Sequence, residues 1–184
     1  LVGSEMCIRD SGGNASVPSG TYAFRLARKL GYDLINLGCA GSCQMDEAMA
    51  SYIGSRDDWD MALFELGVNV IETWDGDRLY GKALAFLAAV LEARPYQQVF
   101  VTDMYYNRYD FEGDKRAARF RGAIQRCAAV LSGQYGGRLH YINGLKAMDT
   151  PRGLSSDGLH PSDLGHEMIA ERLAGYMAEK KEVE

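Results

Sequence analysis

The stretch Ser156-Asp157-Gly158-Leu159-His160-Pro161 carries a carboxylate and an imidazole three residues apart. On a tight turn that spacing sets the carboxylate against one ring nitrogen while the other points into a cleft, which fixes the tautomer of a general base. Asp157 and His160 therefore read as the orienter and base of a hydrolase triad. Asp-x-x-His alone recurs by chance in surface loops. Its weight here comes from its place at the end of the last βα crossover, on the edge where parallel strands build ligand sites. Two further stretches supply complementary chemistry. Asn36-Leu37-Gly38-Cys39-Ala40-Gly41-Ser42 follows an extended run and opens a helix, so Gly41 can offer an unobstructed backbone N–H to an oxyanion. Glu65-Leu66-Gly67-Val68-Asn69 ends the next extended run with an amide side chain, Asn69, where a second oxyanion donor would be wanted. The competing accounts are a plain βα turn for the first stretch and a loop-capping Asn for the second.

These residues need a scaffold, and from Thr21 onward helical and extended signals alternate in the rhythm of stacked βα units. A helix is expected over Thr21–Leu30, closed by Gly31, and a strand over Asp33–Leu37. Met45–Ile53 reads as a helix, Met61–Leu66 as a strand, and Gly81–Ala93 as a helix stopped before Pro95. Val99–Thr102 is the next strand, Asp114–Leu131 a long amphipathic helix, Leu139–Ile142 a last strand, and Leu164–Met177 a closing helix capped by Ser162. The fold class is α/β, a three-layer α/β/α sandwich on a mainly parallel, flavodoxin-like sheet. A strand should also precede the Thr21 helix, yet LVGSEMCIRD has mixed charge and no alternation. We expect residues 1–11 to be a foreign segment resembling a translated adapter or cloning scar, and residues 12–184 to form one domain.

Composition narrows the function. The chain has 184 residues, 47% of them hydrophobic, and 20 Lys and Arg against 25 Asp and Glu give a net charge of -5 without long single-sign runs. Such a chain carries no electrostatic footprint for nucleic acid or an anionic membrane. No apolar stretch approaches the roughly 18 residues of a membrane span. No signal-peptide core opens the chain as written, so the cytoplasm is the default compartment. The four cysteines, Cys7, Cys39, Cys43 and Cys127, show neither CxxC nor zinc-site spacing and read as reduced thiols. His140 and His166 lack nearby partners in sequence and read as structural. Trp74, Tyr105, Tyr106, Tyr109 and Phe111 follow strands and could wall a cleft for a sugar or an acyl chain, with loop packing as the alternative.

Taken in order, the Asn36-to-Gly41 turn, the Gly67-Val68-Asn69 turn and the Asp157-Gly158-Leu159-His160-Pro161 block resemble the SGNH or GDSL-like hydrolases, over about residues 12–178. One departure is Val70, where an Asp commonly follows the Asn. The larger one is the nucleophile. The family presents it as Gly-Asp-Ser with the Ser four residues before a Gly, and counting back from Gly12 and Gly13 reaches Ile8 and Arg9. Ser11 follows Asp10 but stands too close to the glycines, and Ser4 has Ile8 where the Gly should be. Ser11 is the nearest imitation of the nucleophile; loss of the true one to the foreign segment is the simpler account. The resemblance implies a serine esterase acting on a small carboxylic ester, an acylated carbohydrate or lipid, with His160 and Asp157 in the triad and Gly41 and Asn69 in the oxyanion hole. It requires no metal or organic cofactor. The alternatives are a catalytically inactive relative that binds a glycan or acyl ligand, and a flavodoxin-like nucleotide or FMN binder using residues 11–16 as a phosphate nest.

Overall fold

Strand β2 (Asp33–Asn36) ends on Asn36, whose side chain accepts the Gly38 N–H at 2.8 Å. The computed structural model describes residues 2–5 (as backbone), 15–38, 42 and 44–181. Among the described residues five strands form one parallel sheet: β1 (Val2–Glu5), β2, β3 (Met61–Glu65), β4 (Gln98–Thr102) and β5 (Leu139–Ile142), in the order β2-β1-β3-β4-β5. Every pairing is parallel. The order reverses beside β1, which creates the crevice at the carboxyl ends of the strands where α/β sheets hold their ligands.

Side-chain alternation divides the core. Along β3, Ala62 and Phe64 join a cluster with Val99, Val101, Leu79, Leu87, Phe120 and Ile124. Met61 and Leu63 join Phe100, Tyr22, Leu26, Ile169 and Leu173 on the other face. The first face is covered by α2 (Glu47–Ser55), α3 (Gly76–Ala93) and α5 (Lys115–Gln134), the second by α1 (Tyr22–Leu30) and α7 (Asp163–Lys181). The layering is α/β/α. Both faces of the central strands are buried, which is why they read as continuous apolar runs.

The expected elements appear with shifted ends. Helix α3 starts at Gly76 because the Asp75 carboxylate accepts the Arg78 N–H at 2.8 Å, a cap upstream of the alanine-rich run. Ser162 caps α7 as expected, with its hydroxyl oxygen 3.3 Å from Gly165 N and its carbonyl accepting from His166 N at 2.8 Å. Two four-residue helices, α4 (Arg108–Phe111) and α6 (Gly144–Ala147), have no periodicity to announce them. The main difference is β1. The first ten residues carry no strand signal, yet Val2–Glu5 lies between β2 and β3, with Gly3 opposite both Leu34 and Met61. A parallel ladder is made by backbone groups, and the central slot would otherwise leave two rows of them unpaired.

Candidate active site

The turn bearing Asp157 and His160 is held from within. An antiparallel bridge between Leu154 and Pro161 closes its base, and Ser155 N–H donates to the His160 carbonyl at 2.8 Å. At its tip Gly158 has φ +67°, a left-handed residue that completes the reversal. One Asp157 oxygen, Oδ1, accepts the backbone N–H of Leu159 at 2.8 Å and of His160 at 2.9 Å, and the Ser155 hydroxyl at 2.8 Å. The other, Oδ2, lies 2.6 Å from His160 Nδ1. Partial burial pushes the Asp157 carboxyl up, but the imidazole, the two backbone donors and the Ser155 hydroxyl outweigh it and hold the group well below the usual carboxylate range. An ionised Asp157 binding Nδ1–H leaves Nε2 as the basic nitrogen. The His160 side chain is 29% exposed, open enough to meet a ligand.

Asn69 is positioned by packing. Gly67 adopts φ +119°, a conformation closed to side-chain-bearing residues, and swings the chain into a 3-10 turn over Val68–Val70. Val68 and Val70 are buried beside it, and Leu66 N–H donates to the Thr102 carbonyl at 3.1 Å, anchoring the turn to β4. The Asn69 amide nitrogen is buried and has no hydrogen-bond partner among the described residues. A buried donor left unpaired costs roughly 1–3 kcal/mol.

The two turns are linked through the segment after β4. Arg108 N–H, in the segment after β4, donates to the Gly158 carbonyl at 2.7 Å. The Arg108 guanidinium reaches Glu72, three residues beyond Asn69, at 3.2 Å. Glu72 also accepts the Tyr109 hydroxyl.

Other sequence-derived candidates separate clearly. Gly41 and Ser11 lie outside the described residues, as do Cys39 and Cys43. Trp74 is half-buried under the Arg78 guanidinium, 4.4 Å from the ring centroid, and Tyr106 is half-buried beside Met148. Tyr105 does not wall an open cleft: it is 0% exposed and packs edge-on against Tyr22 at 5.6 Å. The chain beyond β4 stays inside the molecule for three more residues, which carries that ring into the core. Of the other aromatics, Tyr109 is buried and Phe111 is exposed. His140 stacks on Phe100 and pairs with Gln98, and buried His166 accepts the Tyr22 N–H, so both serve the core. Burial pushes the Cys127 thiol up to about 12, which makes it inert. Sequence reasoning missed Ser155, Arg108 and the buried strand-end acids Glu65 and Asp103. Polar residues closing otherwise apolar strands were the available signal for the last two. Among the described residues no group of three or more His, Cys, Asp or Glu is placed to hold a metal, and no helix is long and apolar enough to cross a membrane.

The family model for the GDSL-like lipase/acylhydrolase family matches residues 7–178. The chain belongs to this family. Solved structures with the same fold include a salicylyl-acyltransferase from a tetracycline biosynthetic pathway (22% identity, TM-score 0.82, covering 99% of this chain and 54% of that one). A protein from Bacteroides ovatus described as a GDSL-like lipase matches at 21% identity and TM-score 0.81, over 100% of this chain and 53% of the other. A family two carbohydrate esterase from Clostridium thermocellum, solved with cellohexaose, matches at 15% identity and TM-score 0.76, over 98% of this chain and 63% of the other. The chain thus spans about half the length of the first two. No curated protein is significantly similar in sequence.

Proposed function

We propose that this GDSL-family chain is the catalytic domain of a serine esterase that cleaves a carboxylic ester of an acylated carbohydrate or lipid by acyl transfer. A Ser hydroxyl attacks the ester carbonyl as His160 Nε2 takes its proton, and the carbonyl oxygen becomes the oxyanion of a tetrahedral intermediate. Asp157 orients His160 and stabilises the imidazolium. The Asn69 amide and the Gly41 N–H, with the nucleophile's own N–H, hold the oxyanion. Collapse breaks the C–O bond and His160 returns the proton to the leaving alcohol; a water then repeats the cycle on the acyl-enzyme. The observation carrying this reading is the Asp157–His160 contact of 2.6 Å in a turn joined to the strand-end loops. Trp74 and Tyr106, half-buried on loops beyond β3 and β4, suit a sugar or acyl group. A nucleotide or FMN binder would leave the Asp157–His160 pair without a role.

The nucleophile belongs to the segment that residues 1–11 replace in this reading. The test compares the chain as written with one whose residues 1–11 are exchanged for an apolar strand ending Gly-Asp-Ser-Ile-Thr-His, so that the Ser stands four residues before Gly12. The repaired chain should hydrolyse p-nitrophenyl acetate and lose that activity on His160→Ala; the original should stay at background. A repaired, folded chain that binds acylated glycans without hydrolysing them would establish the inactive-relative reading instead. Strong activity of the original chain that vanishes on Ser11→Ala would make Ser11 the nucleophile.

A further inference from the structure

Helix α5 buries a stripe at Ala117, Phe120, Ile124, Ala128 and Leu131, and Arg121 lies in that stripe only 8% exposed. An arginine there gives up most of its hydration, a cost that an apolar residue of similar size would avoid. Each of its three guanidinium nitrogens is engaged. Two parallel bonds of 2.6 and 2.7 Å run to the Asp110 carboxylate, and others reach the Met104 carbonyl at 2.9 Å and the Tyr105 carbonyl at 3.2 Å. All of these partners lie in the segment after β4.

That segment is fixed residue by residue. Asp110 accepts the Asn107 N–H at 3.1 Å while the Asn107 side chain accepts the Tyr109 N–H at 3.0 Å, a complete capping box on a helix of four residues. The Asn107 amide also donates to the Tyr105 carbonyl at 2.8 Å. A four-residue helix has almost no stability of its own, so these bonds set its position. From it the Arg108 N–H reaches the Gly158 carbonyl at 2.7 Å, one residue from Asp157 and two from His160. Asp103, at the root of the segment, accepts the Gly144 N–H at 2.8 Å and the Tyr141 hydroxyl, with Arg121 Nε at 3.8 Å.

We infer that Arg121 is a positioning residue for the His160 base: by clamping Asp110 and the Met104 and Tyr105 carbonyls it fixes the Arg108 N–H that holds the triad turn in register. The inference rests on reading Asp157 and His160 as the base pair, and it predicts a catalytic effect from a residue on the far side of the loop. Geometric losses of this kind cost up to about a hundredfold in turnover without weakening substrate binding.

The test uses the full chain labelled at histidine, with Arg121→Met, Arg121→Lys and Asp110→Ala, and with Ile53→Ala on α2 as a comparably destabilised control. The readout is the His160 Nδ1–H proton resonance and its exchange with water, which needs no nucleophile. Arg121→Met and Asp110→Ala should broaden that signal and speed its exchange while unfolding stays cooperative, Arg121→Lys should restore it in part, and Ile53→Ala should leave it unchanged. In the repaired, ester-hydrolysing chain, kcat should fall about a hundredfold for Arg121→Met with KM within about twofold. If Arg121→Met fails to fold, Asp110→Ala decides. A folded Asp110→Ala with an unmoved His160 signal, or an Ile53→Ala control that moves it equally, overturns the inference. Absence of hydrolysis by the repaired chain overturns the esterase reading and leaves the resonance arm to decide this one.

Discussion

The two turns of the site reach fixed geometry by opposite means. The Asp157–His160 turn, residues 154–161, is a hydrogen-bonded unit in which Asp157 accepts four donors, all from residues within three positions. The Asn69 turn is shaped by the backbone reversal at Gly67, a few backbone bonds and burial of Val68 and Val70, and its side-chain amide nitrogen is left without a partner among the described residues. The difference fits what each would have to do in the proposed reaction. A base has to be oriented before substrate arrives, so its partner is spent in advance. An oxyanion donor has to be held in place yet left unspent, so packing must replace hydrogen bonding.

The largest test of this contrast removes the preset pair. In the hydrolytically competent chain His160→Ala should reduce kcat by about a millionfold, and Asp157→Asn, which withdraws the orienting charge, by about ten-thousandfold. Burst and steady-state kinetics on a chromogenic ester measure both. Near-equal, small losses would mean that the turn is structural.

Asn69→Ala should cost about a hundred- to a thousandfold in kcat, the range for one oxyanion donor. Its stability should stay level or rise, because the substitution removes a buried unpaired amide rather than a satisfied one. A marked fall in melting temperature would show that Asn69 caps the loop. Gly67→Ala should do the reverse of Asn69→Ala: φ +119° forbids the methyl, and roughly 1–3 kcal/mol of stability should be lost. A Cβ there would meet Met104, Leu79 and Phe120 at no closer than 3.4 Å, so the loss reports backbone strain rather than crowding. Chemical denaturation at constant slope measures it.

The same contrast explains what could be read from the residues alone. The Asp157–His160 contact was legible because its bonds are local, and Asp157, Gly158 and His160 state the geometry within four positions. The three-layer form was legible because β3 and β4 are buried on both faces and the helices have clean apolar stripes. Tyr105 was misread because an aromatic after a strand looks the same whether the chain turns out to solvent or stays inside. Arg121 went unread although it falls in the α5 stripe beside Phe120 and Ile124, since its partners, Asp110 and two carbonyls, lie on a loop with no periodicity of its own. Strand β1 was illegible for a different reason: its slot is specified by the neighbouring backbones, not by its own side chains.

The smallest expected effect concerns pH and separates the two turns again. The Asp157 carboxyl is held below its ordinary range in the folded chain, so it contributes stability that is fully present above the unfolded carboxylate value of about 4 and is lost as pH falls through the lower folded value. Asn69 contributes no such dependence. With a side chain 41% exposed, Asp157 is screened by solvent, and the contribution is modest. Melting temperatures of wild type and Asp157→Asn should therefore differ most near neutral pH and converge as the solution is acidified below pH 4, whereas the difference between wild type and Asn69→Ala should stay constant over the same range. A wild-type to Asp157→Asn gap that is independent of pH would mean that the carboxylate charge is not what orders the turn, and that the backbone bonds to Leu159 and His160 suffice.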